Sequence, residues 1–71
     1  MKLHYYPETD SLYIELANRP GADVREFGDG IVMDVDEHGE PVGLDIDGAS
    51  RRLDLATLDV VALPATPSLA G

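Results

Sequence analysis

The sequence predicts a mainly β (α+β) fold: a small antiparallel meander of about four strands followed by a short C-terminal helical element. Two observations support this prediction. First, Gly30–Ser50 contains two stretches in which apolar side chains alternate with mostly acidic ones. Successive side chains of a strand point to opposite sides of a sheet, so each stretch has one apolar and one largely acidic face. Second, the alternation stops after Gly48.

The length of the chain limits it to one small domain, and its composition limits the kinds of partner. It has 71 residues, no cysteine, and a net charge of -9 from 5 basic and 14 acidic side chains. We expect a compact domain over residues 1–63 and a flexible tail over residues 64–71. The lack of cysteine suits a cytoplasmic location, and no apolar run approaches the ~20 residues that span a membrane. The negative charge disfavours direct binding to nucleic acid or anionic membranes and favours a basic protein partner.

The first part of the chain predicts a hairpin and one weaker strand. Residues 3–6 and 12–17 alternate in polarity on either side of a run of turn-forming residues. We expect the register that sets Tyr5 opposite Leu12. Residues 23–27 predict a third strand of mixed character after a Pro-Gly break.

The second hairpin fixes its own register. Either a two-residue turn at His38-Gly39 or a four-residue loop places Ile31 opposite Ile46, and a slip of one residue would bring carboxylates into the core. The same register pairs Met33 with Leu44 and Val35 with Val42. The predicted core contains the apolar residues of both hairpins: Leu3, Tyr5, Leu12, Ile14, Leu16, Ile31, Met33, Val35, Val42, Leu44 and Ile46.

The helical element is predicted within residues 49–58, as one or two turns. Either Asp47 or Ser50 would cap it, because each side chain offers an acceptor to free backbone N–H groups. A short extended segment follows before Pro64.

The candidate functional residues lie on the side of the sheet opposite the core. They are the carboxylates Asp34, Asp36, Asp45 and Asp47, with Val32 and Tyr13 as apolar neighbours. An exposed apolar patch flanked by charge is typical of a protein contact surface. We therefore expect a homodimer or a complex with a small basic protein, and a non-enzymatic interaction module.

An alternative is a small metal- or ligand-binding protein that uses the same acidic side of the sheet. Residues 34–39 begin like a calcium loop, with carboxylates at the first and third places and glycine at the sixth. However, His38 occupies the fifth place, Asp45 occupies the twelfth instead of glutamate, and strands rather than helices flank the segment. The sequence therefore predicts no specific metal site, no cofactor and no catalytic residues.

Several ordered segments together resemble the YuzE-like family, the domain of unknown function 2283. They are Tyr5–Ile14, Gly30–Asp36, Gly39, Val42–Ile46 and Ala49-Ser50. The chain departs from the family pattern at Pro7, which directly follows Tyr6, and at Asp45, where relatives usually have glutamate. The resemblance implies a compact, mostly antiparallel β fold with a small helix near the C-terminus, and an antitoxin-like link to toxin–antitoxin pairs. It implies no catalytic residues.

Overall fold

Five antiparallel strands and one short helix make up the part of the chain that the computed structural model describes, residues 1–61. The elements are β1 (Lys2–Tyr6), β2 (Ser11–Glu15), β3 (Asp23–Glu26), β4 (Ile31–Val35), β5 (Pro41–Asp47) and α1 (Ala49–Arg52). The predicted mainly β class with a short helical element is therefore confirmed. The predicted domain boundary after residue 63 and the predicted tail lie outside the described residues.

The strand order is β1-β2-β5-β4-β3, so the predicted meander in chain order is wrong. The last strand, β5, lies at the centre and pairs with β2 on one side and β4 on the other. A meander would have placed β3 in the middle. Asp23, Arg25 and Glu26 are three of its four residues, and charged side chains suit an edge strand better than a central one.

Both predicted hairpin registers are confirmed over their regular parts. Tyr5 pairs with Leu12 between β1 and β2. Ile31 pairs with Ile46 between β4 and β5, as alternation of apolar and acidic side chains requires.

The turn between β4 and β5 differs from both predicted loops. The N–H of Asp36 donates to the carbonyl oxygen of Glu40 at 2.9 Å, and the N–H of Gly39 donates to that of Asp36 at 3.0 Å. Three residues therefore form the tip, and Gly39 takes the left-handed φ of 79° that glycine tolerates. This odd number shifts the pairing, so Val35 faces Pro41 instead of its predicted partner. An irregularity between Asp34 and Val35 restores the predicted register further along the strands.

The buried core is smaller than the sequence predicts. The buried apolar residues are Leu12, Val35, Val42, Ile46 and Ala49. We call the side of the sheet with most of them the apolar face, formed by Leu12, Ile14, Ile31, Met33, Val35, Val42, Leu44 and Ile46. Leu3 and Tyr5 were predicted to be in the core but are exposed, because they lie on the edge strand β1.

The helix α1 is anchored from a distant part of the chain. The predicted caps are wrong: the N-cap is Gly48, with no side-chain hydrogen bond. Instead, the carboxylate of Asp10 accepts hydrogen bonds from the backbone N–H of Ser50 at 3.1 Å and from its hydroxyl at 2.7 Å. The carbonyl oxygen of Asp10 also accepts from the N–H of Ala49 at 2.9 Å. The turn after β1 thus holds the helix against the sheet.

Candidate functional site

Side chains of three neighbouring strands meet on the side of the sheet opposite the apolar face. Asp45 of β5 pairs with Tyr13 of β2 on one side and with Val32 of β4 on the other. Directly paired residues lie on the same side of a sheet, so these three form a continuous row. We call this side the acidic face, formed by Tyr13, Val32, Asp34, Gly43, Asp45 and Asp47.

A second row of the acidic face explains the position of the tyrosine. Gly43 of β5 pairs with Asp34 of β4, and the Tyr13 ring lies directly over Gly43. The Tyr13 hydroxyl donates to Oδ2 of Asp34 at 3.0 Å, a bond that is partly buried. Gly43 has no side chain, so the ring can cross the central strand and join β2 to β4. The tyrosine is therefore held in one orientation.

The electrostatics of the acidic face are dominated by its three carboxylates, Asp34, Asp45 and Asp47. Partial burial raises the pKa of Asp45 above its ordinary value, and repulsion from Asp47 and Asp34 raises it further. Burial and the bond to Asp34 likewise raise the pKa of Tyr13, which keeps its hydroxyl protonated. Within residues 1–61, none of these three carboxylates forms an ion pair. The ionised form of Asp45 therefore opposes folding.

Asp47 lies at one end of the acidic face, one row away from Asp45. It pairs with Ser11 of β2, whose hydroxyl donates to Oδ1 of Asp47 at 3.0 Å. Asp47 is exposed to solvent.

Asp36 does not belong to the acidic face, although alternation along β4 placed it there. Its Oδ1 accepts hydrogen bonds from the N–H groups of His38 at 2.8 Å and Glu40 at 2.9 Å. Its Oδ2 lies 3.0 Å from Nε of Arg19 in an ion pair, and its side chain is only 10% exposed. The backbone bond from Glu40 lowers the pKa of Asp36, helped by the bond from His38 and the charge of Arg19. Because β4 ends one residue earlier, Asp36 lies in the turn instead of on the sheet. Its hydrogen bonds and ion pair organise that turn.

A shallow cleft of about 340 Å³ adjoins that turn, lined by Arg19, Pro20, Gly21, Ala22, Asp36, Glu37 and His38. The guanidinium of Arg19 is already engaged there, because it also donates to the carbonyl oxygen of Pro41 at 3.0 Å. The cleft consequently offers an incoming anion little free positive charge.

The acidic face can present negative charge and an ordered aromatic ring, but it does not bring ligands together at a point. In residues 1–61, no group of three or more His, Asp or Glu side chains could hold a metal ion. The two carboxylates of the calcium-like segment have separate partners: Asp34 accepts from Tyr13, and Asp36 is held in the turn. No helix in this part of the chain is long and apolar enough to cross a membrane.

Five of the six candidate residues named from the sequence lie on the acidic face: Tyr13, Val32, Asp34, Asp45 and Asp47. Sequence reasoning missed two others. Gly43 was not among the predicted site residues, although a glycine inside a strand often marks a close approach of another group. Asp10 was treated only as a turn residue, since no local pattern shows contacts 40 residues away.

Comparison with known proteins identifies the family. A family model described as a protein of unknown function (DUF2283) matches residues 2–50, which span all five strands and reach the start of α1. Searches of the curated proteins and of the solved structures each found no significant match. The family match covers more than half of the chain and confirms the resemblance seen in the sequence. The chain therefore belongs to the DUF2283 family of proteins of unknown function.

Proposed function

We propose that this protein is a non-enzymatic interaction module of the cytoplasm that binds a small basic protein through its acidic face. The more specific form of the proposal, which comes from the family resemblance, is an antitoxin-like role in which that basic protein is a toxin. Asp34, Asp45 and Asp47 would contact basic side chains of the partner.

One observation carries the proposal: Asp45 lies beside Asp34 and Asp47, and none of the three forms an ion pair within residues 1–61. The pKa of Asp45 is raised by burial and by two neighbouring carboxylates, so the folded chain keeps these charges together against their mutual repulsion. A lysine or arginine from a partner would relieve that repulsion, and charge-assisted hydrogen bonds to carboxylates are among the stronger ones. Complementary charge would also accelerate association and select against acidic proteins.

Tyr13 and Val32 add the apolar contact area that such an interface needs. Both are partly buried and lie on either side of Asp45. Tyrosine is enriched in the energetically important centre of interfaces, and a ring that is already fixed loses little freedom on binding. The bond from Tyr13 to Asp34 provides that fixation.

The alternative, a metal- or ligand-binding protein, has less support. The carboxylates of the acidic face project from two strands, β4 and β5, and form no metal-holding group within residues 1–61; Asp34 already accepts a bond from Tyr13. A titration with calcium or manganese, followed by amide NMR shifts, distinguishes the two. Saturable shifts confined to residues 34, 45 and 47 would favour the alternative.

The proposal is tested by purification of the tagged chain from its native host at low salt, followed by titration of the purified partner. The critical variant is Asp45→Asn with Asp47→Asn, which removes two charges from the acidic face. The matched control is Glu8→Gln with Glu37→Gln, which removes two exposed charges elsewhere. We expect the wild type and the control to retain a small basic protein, and the critical variant to bind it at least about tenfold more weakly.

Salt dependence gives a second readout. Binding of the wild type should weaken as ionic strength rises, because the Debye length falls from about 10 Å at 0.1 M to 3 Å at 1 M. If no basic protein is retained, or if both double variants bind it equally, the acidic face is not the contact surface.

A further inference from the structure

The two edges of the sheet are built very differently. At one edge, β3 is four residues long and carries Asp23, Arg25 and Glu26. Charges on a short edge strand are a common protection against the addition of further strands, because pairing would strip them of water. Asp23 and Arg25 pair with Val35 and Met33, so they lie on the same side as the apolar face and protect this edge especially well.

At the other edge, β1 has less of that protection, because Lys2 at its first position is its only Lys, Arg, Asp or Glu. All five residues of Lys2–Tyr6 are exposed, and the strand contains no proline and no carboxylate. Leu3, Tyr5 and Tyr6 are 48%, 45% and 49% exposed. An exposed edge with apolar side chains is a template for another strand.

The distribution of charge in the chain indicates which strand could pair with the β1 edge. Every other strand of the sheet carries at least one carboxylate, in a chain with a net charge of -9. Two copies of so acidic a chain repel each other over most of their surfaces. The only ionisable side chains on β1, apart from its tyrosines, are Lys2 and His4, so this edge is where a second copy meets the least repulsion.

We propose that β1 pairs with β1 of a second copy, antiparallel and centred on His4. The five-stranded sheets of the two copies then form one continuous sheet of ten strands. A dimer with a two-fold axis requires a surface that is complementary to itself, and β1 provides one. Pairing about His4 sets Leu3 opposite Tyr5 of the second copy, which extends the apolar face across the junction. It sets Lys2 opposite Tyr6 of the second copy, where a cation can lie against the ring.

This inference is independent of the proposed function. The acidic face is centred on β2, β5 and β4, so the centre of that face stays accessible when β1 is paired. It also differs from the self-association expected from sequence, which used Val32 and Tyr13. A contact limited to one edge is small, so the dissociation constant should be of the order of 100 μM.

Charge swapping at His4 tests the pairing. Because His4 would face His4 of the second copy, His4→Glu places two carboxylates opposite each other, and His4→Lys places two ammonium groups there. Like charges in directly opposed positions destabilise strand pairing. By sedimentation equilibrium up to about 0.5 mM protein, each variant alone should associate about fivefold or more weakly than the wild type.

An equimolar mixture of His4→Glu and His4→Lys should restore association as a 1:1 heterodimer. The matched controls are Val24→Glu and Val24→Lys, at a residue of the opposite edge that is 56% exposed and on the same side of the sheet as His4. These should self-associate like the wild type. Circular dichroism and melting temperature check that each variant is folded.

A measurement on the wild type alone does not depend on any variant. Dilution from about 0.5 mM to 20 μM should shift amide resonances of residues 2–6 and leave those of residues 23–26 unchanged. A monomer at the highest concentration would overturn the proposal. So would a dimer that responds to charge at Val24 but not at His4, or a mixture that fails to restore association.

Discussion

Neighbouring residues of the central strand experience opposite surroundings. Ile46 is 7% exposed and lies on the apolar face, between Leu12 and Ile31 of the flanking strands. Asp45, one residue earlier, lies on the acidic face, where partial burial and then the carboxylates of Asp47 and Asp34 raise its pKa. The apolar face stabilises the fold by burial, whereas the acidic face holds charge that opposes it. Placing a charge at Ile46 should therefore lower the stability of the fold, whereas neutralising Asp45 should raise it.

The largest effect is expected on the apolar face. Ile46→Asp would bury a carboxylate without a partner, which costs several kcal/mol against a total stability of about 5 kcal/mol for a small domain. We expect the variant to be unfolded at 25 °C, with loss of NMR amide dispersion. Asp45→Asn on the same strand is the control and should stay folded. A folded Ile46→Asp protein would show that the apolar face contributes much less than its burial indicates.

The next effect concerns the packing of the acidic face. Any Cβ at Gly43 would collide with the Tyr13 ring, so Gly43→Ala must displace the ring and break its bond to Asp34. We expect a loss of about 1–3 kcal/mol in the free energy of unfolding, measured in urea.

A double-mutant cycle isolates the collision as the cause. In a Tyr13→Ala background the space above Gly43 is free, so the same Gly43→Ala change should cost nearly nothing. An equal loss in both backgrounds would place the effect in the backbone of β5 instead.

How much of this was predictable depended on whether the interaction was local. The register that pairs Ile31 with Ile46 follows from alternation alone, because a slip by one residue exchanges the two faces. The order of the strands could not be predicted from alternation. The pairing of β2 with β5 joins segments about 30 residues apart that no single turn connects. Asp36 was misplaced for a related reason: alternation holds only while the strand continues, and the turn begins at that residue.

Asp36→Asn tests this misplacement. The sequence placed Asp36 on the outer side of the sheet, where a substitution usually changes stability by no more than about 0.5 kcal/mol. The structure predicts a clear drop in melting temperature, since the substitution removes the charge that holds two backbone N–H groups and Arg19. Glu37→Gln, an exposed neighbour, is the control and should change little.

The stability that Asp36 contributes should depend on pH in a defined direction. The pKa of Asp36 is lowered in the folded state, so its contribution is present above the unfolded pKa and lost as pH falls through the folded one. The difference between wild type and Asp36→Asn should therefore shrink below about pH 4. A difference that persists unchanged in acid would mean that shape rather than charge is responsible.

The smallest effect has the opposite sign and belongs to the acidic face. The pKa of Asp45 is raised in the folded state, first by burial and then by Asp47 and Asp34, so its charge opposes folding at neutral pH. Asp45→Asn should increase the free energy of unfolding at pH 7 by a few tenths of a kcal/mol, a small value because solvent screens an exposed group. The gain should disappear below about pH 4, where the carboxyl is protonated in both states. Asp29→Asn, away from the acidic face, should give no gain.

The Asp45→Asn substitution also links stability to the proposed binding. Charge that costs stability persists in a natural sequence when binding requires it. A variant that is more stable and binds the proposed basic partner less well would therefore connect the cost of the charge with its use in binding. A neutral or destabilising Asp45→Asn would instead show that the charge is already compensated, and the main support for the acidic face as a binding surface would be lost.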